Sequence, residues 1–149
     1  MTPVPEVIAG LLSGVPQVGA QEQAFPFVTV DADGFPHVAL LSRMELEVGR
    51  DGADVHAAVR SRRTRENLER RGRATLIAVE GDTAHYVKLL VVRAVAVHDL
   101  LACVFEVAEH KPDSMGIALC PITYPVTVDI ARAERWDTTV AALGLLRRP

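Results

Sequence analysis

The chain is one domain's length, 149 residues, with 49% hydrophobic and 23% charged residues and a formal net charge of −3. At that size roughly 68–70% of the unfolded surface is buried on folding, so a core forms without disulfides or metal. This composition excludes disorder, collagen and coiled coil, and no apolar run reaches the 18 or so residues of a membrane helix.

In chain order, a short amphipathic helix is predicted over residues 5–13, with Val7, Ile8, Leu11 and Leu12 on one side and Gly14 and Pro16 ending it. The run FPFVTVD at 25–31 reads as a strand, with Pro26 favouring an edge or a strand start. A turn at 31–34 leads to one long strand over 36–48. There Val38, Leu40, Met44, Leu46 and Val48 share a face opposite Arg43, Glu45 and Glu47. Ser42 interrupts that apolar face, either as a satisfied barrel hydroxyl or as a ligand contact. A hairpin at 49–52 and a strand at 54–59 follow. Ser61 or Thr64 then caps a helix running to about Arg71, which Gly72 ends.

Strands over 73–80 and 84–98 are joined by a turn at Gly81 and Asp82. Two more strands are predicted at 101–110 and 124–133, separated by a loop holding Pro112, Gly116 and Pro121. A C-terminal helix spans about 138–146, and Trp136 is expected to pack it against the sheet. About six antiparallel strands with one inserted helix predict a small β-barrel, whose strands must pair or close their edges.

Charge is distributed unevenly. Seven of the 16 basic residues lie in residues 60–73 beside only Glu66 and Glu69, which makes that segment +5 and leaves −8 for the rest of the chain. Such asymmetry points to an anionic partner at one place, against the plainer reading of a solvated helix face. Free N–H groups at the start of the inserted helix, its dipole and the arginines together make a phosphate site. Arg63 and Asn67, spaced i and i+4, share a face of that helix. Net negative charge and 5% aromatics argue against nucleic acid as the partner.

Cys103 and Cys120 lack CxxC spacing, which predicts two buried free thiols in a reducing cytoplasm. The N-terminus has no basic segment followed by a long apolar run, so no secretory signal is expected. The histidines lack metal-ligand spacing, and no Ser-His-Asp or paired-carboxylate arrangement is legible.

Three segments in order, FPFVTVDADGFPHVALLS, RTRENLERRGRATLIAV and AHYVKLLVVRAV, resemble the flavin-binding split barrel of the pyridoxamine 5'-phosphate oxidase superfamily. The resemblance covers about residues 25–97. It implies a mainly β fold: a six-stranded antiparallel split barrel with an inserted helix and flanking terminal helices, in a single domain over 1–149. It also implies a cytoplasmic homodimer with FMN, or a deazaflavin, in a groove between the chains, acting on a small molecule. The flavin strand corresponds to His37, Val38, Leu40, Leu41 and Ser42, with Ala57 and Ala58 on the next strand beside the ring. Arg63 and Thr64 match the phosphate-holding pair, Asn67 follows them, and Tyr86 approaches the ring from the long strand. The oxidase itself has Arg and Lys at the ends of its flavin strand and Lys after the phosphate-binding Arg. Here His37, Ser42 and Thr64 stand instead, which makes pyridoxamine oxidation improbable. In such a protein the cofactor carries the redox chemistry, and no side chain is obliged to act as nucleophile or base. A non-catalytic, ligand-binding dimeric barrel is the alternative.

Overall fold

The computed structural model describes residues 2–147. Helix α1 (Glu6–Leu12) precedes β1 (Gln21–Gln23), β2 (Phe25–Val30), β3 (Pro36–Leu41), β4 (Leu46–Val48) and β5 (Asp54–Val59). Helix α2 (Arg62–Arg71), β6 (Arg73–Glu80), β7 (Thr83–Val97), β8 (Leu100–Ser114), β9 (Thr123–Pro125), α3 (Val128–Ala133) and α4 (Trp136–Leu146) complete the chain. One seven-stranded sheet runs in the order β3-β2-β6-β7-β8-β5-β4, every pair antiparallel, and β1 pairs with β9 in a small second sheet.

The strand predicted over 36–48 is therefore two strands, and the main sheet has seven strands rather than six. Only residues 42–45 separate β3 from β4, yet these strands are the two edges of the sheet. In a flat sheet those edges would lie roughly 29 Å apart, at about 4.8 Å per strand. Five residues of fully extended chain reach at most about 18 Å. The sheet must curl, and the result is a split barrel. Register shifts on β7 between Lys88 and Leu89 and between Val91 and Arg93 supply local bending.

Two further expectations are corrected. Residues 124–133 form short β9 and then a helix, because the Thr127 hydroxyl accepts the Ile130 N–H at 3.1 Å and Asp129 sits in the first turn. Pro112 lies inside β8 rather than in a loop. Pairing of β5 with β8 stops at Glu106, so on that side no strand requires the N–H that proline lacks.

The curled sheet encloses Phe25, Phe27, Leu76, Val87, Leu89 and Phe105, with Ile8 and Leu12 of α1 packed against them. Phe27 and Phe105 meet edge to face at 5.8 Å between ring centres. Helix α4 lays Ala142, Leu143 and Leu146 on the outer side of β5 and β8, over Ala58, Ala102 and Val104. Trp136 opens that helix and packs with Met44 and Val126. No helix among the described residues is long and apolar enough to cross a membrane.

Both cysteines are free, but only Cys103 is buried, and Cys120 is exposed. Burial pushes the Cys103 thiol up to about 12, with Glu69 adding to the shift. Iodoacetamide at pH 8 is accordingly expected to modify Cys120 in the folded protein and Cys103 only after denaturation. Peptide mass mapping that found Cys103 labelled in the native state would contradict this packing.

Candidate functional site

The sequence-derived site residues fall into three groups. Pairing of β2 with β3 sets Val28 opposite Val38 and Pro26 opposite Leu40, while β6 and β7 set Ile77 opposite Tyr86 and Thr75 opposite Lys88. Because side chains alternate, Val38, Leu40 and Tyr86 stand on one outer face of the sheet. Val38 and Leu40 are 54% and 53% exposed, so the apolar face they share turns outward here. The Tyr86 hydroxyl lies 3.5 Å from an Asp113 carboxylate oxygen.

Leu41, Ala57 and Ala58 have their side chains in the core. Leu41 and Ala57 face the barrel interior, whereas Ala58 is covered by α4. Only their main chain remains to line a ligand groove, so they do not join the outer face.

The third group gathers where α2 packs on β2 and β3. Helix α2 starts where predicted: Ser61 Oγ accepts the Thr64 N–H at 3.3 Å, and Gly72 ends it in the left-handed conformation at φ 64°. Its first turn carries Arg62, Arg63 and Arg65 and no acidic residue. Thr64 is fully buried with an unpaired hydroxyl, and His37 Nε2 is likewise buried without a partner. Asn67 Nδ2 donates to Thr29 Oγ1 at 3.0 Å and to Asp31 Oδ1 at 2.9 Å, and its Oδ1 accepts from Arg70 at 2.5 Å. Arg63, 65% exposed, faces Asp31 at 3.4 Å.

Arg63 and Asn67 do line one cavity of about 230 Å³, as their spacing predicted. Asp31, Asp33 and Glu66 line it too, against Arg63 and Arg70, so its formal charge is −1. Several arginines of the positive segment read from the sequence are held by contacts within the fold. Arg60 donates to the Glu134 carbonyl at 2.6 Å, Arg62 pairs with Glu66 at 3.0 Å, and Arg70 is held by Asn67. Asp31 had been legible only as a turn residue; its role beside Arg63 was not.

Ser42 stands apart from all three groups, in the turn between β3 and β4. Its N–H donates to Glu45 Oε2 at 2.6 Å and its hydroxyl accepts the Met44 N–H at 3.2 Å. Leu40, Leu41, Ser42 and Glu45 line a cavity of about 250 Å³ with Tyr124, Glu134 and Trp136. Burial pushes the Glu45 carboxyl up to about 7, and the nearby Glu134 charge adds to this. Hydrogen bonds from Ser42 and the charge of Arg60 act the other way.

This architecture is shared with several solved structures. The chain superposes on the styrene monooxygenase flavin reductase of Pseudomonas putida S12 with a TM-score of 0.51 at 13% identity, covering 72% of this chain and 94% of that one. Against flavoredoxin of Desulfovibrio vulgaris (Miyazaki F) the TM-score is 0.51 at 12% identity, covering 75% and 86%. HupZ of Group A Streptococcus aligns with a TM-score of 0.56 at 13% identity, covering 78% and 99%. No protein-family model matches the chain, and no curated protein matches it in sequence. The chain shares with these structures the fold of a split barrel.

Proposed function

We propose that the protein is an oxidoreductase that uses a flavin-type cofactor, FMN or a deazaflavin, in a groove completed by a second copy of the chain. The observation that carries this reading is the outer face of edge strand β3, where Val38 and Leu40 lie uncovered beside a helix start bearing three arginines and no acid. Those side chains offer an apolar floor to a planar ring, and the Tyr86 hydroxyl offers a polar contact from β7, three strands away in the sheet order. Arg63 and the unpaired Thr64 hydroxyl are the groups for a phosphate. A bound flavin supplies the hydride or electron chemistry, and the chain's part is to bind, orient and shield it. The residues fit the ring better than the phosphate, since Arg63 must exchange Asp31 for the ligand.

An FMN titration followed by visible absorbance tests the reading. Arg63→Ala is expected to weaken FMN binding by about 1.5–3 kcal/mol, the range for a charged hydrogen bond. Asp31→Asn is expected to tighten it by freeing that guanidinium. Unchanged affinity in both variants would remove α2 from the site, and a colourless protein that ignores FMN would overturn the cofactor assignment. Light scattering at micromolar concentration checks the dimer, which a monomer would contradict. A second reading, a non-catalytic ligand-binding barrel, is favoured by one observation: Asp31 already occupies the position beside Arg63 and Asn67 where an anion would sit.

A further inference from the structure

The cavity at the end of β3 differs in chemistry from the α2 site. Its wall brings together the β3–β4 turn (Ser42, Glu45), β9 (Tyr124), α4 (Trp136) and Glu134, one of the two residues joining α3 to α4. Trp136 is 7% exposed, and its indole N–H has no partner. The Tyr124 hydroxyl is also buried; it faces Ser42 without forming a hydrogen bond of good geometry. Buried donors are paired in native proteins with few exceptions, so two orphans on one cavity wall point to a missing acceptor. Glu45 supplies the complementary group. Its Oε2 is taken by the Ser42 N–H at 2.6 Å, which leaves Oε1 for a donor on the ligand.

We infer that this cavity binds a small, uncharged, planar ligand with a carbonyl acceptor beside an N–H donor, that is, an aromatic amide or lactam. The carbonyl accepts from Trp136 Nε1 and Tyr124 Oη, and the N–H donates to Glu45. A volume of about 250 Å³ matches one substituted ring, equivalent to roughly eight waters at about 30 Å³ each. Leu40 and Ile130 supply the apolar contact for that ring.

Charge selects against acids at this site. Glu45 and Glu134 both lie on the wall, and Glu22 acts on Tyr124 from β1. The nearby cations are outnumbered: Arg60 donates to the Glu134 carbonyl and faces Asp99 at 3.5 Å, with Nη2 unpaired, and Arg43 pairs with Glu22 at 2.6 Å. A carboxylate ligand therefore meets net repulsion once Glu45 has ionised. The inference stands whether or not a flavin binds on the adjoining face, because none of the orphaned groups belongs to the α2 site.

Trp136 is the sole tryptophan, so its emission reports on this cavity directly. Benzamide and benzoate are titrated into the full chain at pH 6 and pH 8, without FMN. Benzamide is expected to change the emission saturably, and benzoate to bind at least about tenfold more weakly at pH 8. Benzoate affinity should rise at pH 6, where Glu45 gains its proton, and Glu45→Gln should abolish that pH dependence. Tyr124→Phe should weaken benzamide by about three- to tenfold, the effect of one neutral hydrogen bond. No saturable change with benzamide, or equal affinity for the two probes at pH 8, would overturn the assignment. FMN absorbance is read in a separate titration, so failure of the flavin reading and failure of this one are told apart.

Discussion

Replacing Phe27 by Ala is expected to cost about 3–5 kcal/mol of folding stability, the range for truncating a buried aromatic ring. Phe27 has 0% exposure and lies on β2 between Ala39 of β3 and Leu76 of β6, with Phe105 edge to face across the barrel. The ring therefore touches both halves of the curled sheet, and its removal leaves a void that neither half can fill without uncurling. At about 2–4 °C per kcal/mol for a chain near this size, the midpoint of thermal unfolding should fall by roughly 6–20 °C. Val38→Ala is the control. Val38 is paired with Val28 on the outer face of the same hairpin, and its truncation should change the isolated chain by no more than about 0.5 kcal/mol. Urea unfolding followed by circular dichroism measures both, and a Phe27→Ala cost near the Val38→Ala value would contradict the assignment of inner and outer faces. A large Val38→Ala effect that vanished on dilution would instead show that a second copy covers that face.

Glu45 sets a pH effect close to neutrality. Its carboxyl is held up at about 7, above the ordinary 4.5, chiefly because burial penalises the charged form. A carboxyl with a raised folded-state value favours folding while protonated. That contribution is complete below about pH 4.5 and is lost as pH rises to about 7, beyond which the curve levels. The full shift corresponds to at most about 3 kcal/mol, and solvent reaching the half-buried side chain brings it to roughly 1–3 kcal/mol. Glu45→Gln keeps an oxygen for the Ser42 N–H and cannot ionise. The variant should match the parent near pH 4 and exceed it in stability at pH 8 by that amount. Parallel stability curves for parent and variant between pH 4 and pH 8 would show that the carboxyl is better solvated than its surroundings imply.

The pH effect also bears on the proposed chemistry. A carboxyl that exchanges its proton near neutrality, on the wall of a cavity at the end of β3, is a group able to give or take a proton there. At the α2 site, Glu66 pairs with Arg62, and Asp31 meets both Arg63 and Asn67.

What the sequence by itself determined is what neighbouring residues decide among themselves. Alternation and turn residues placed β5 and β6 at their observed limits and β7 within a residue of them. Gly72 bounded α2 at one end and Ser61 was one of two candidate caps at the other, because a cap rests on a hydroxyl three residues from an N–H and on a left-handed backbone that suits glycine. The order of these pieces was enough to identify the split barrel. Tertiary structure decided which side of each strand faces inward and what each charged group meets. Period-two patterning defines two faces without ranking them, and in β3 both are apolar, so only pairing with β2 and the jump across residues 42–45 turned Val38 and Leu40 outward. Likewise Ala57 and Ala58 went into the core, Asp31 came to Arg63, and Ser42 met Tyr124 and Trp136. Those pairs lie tens of residues apart in the chain, and no local preference of either partner specifies the other; only closing the sheet does.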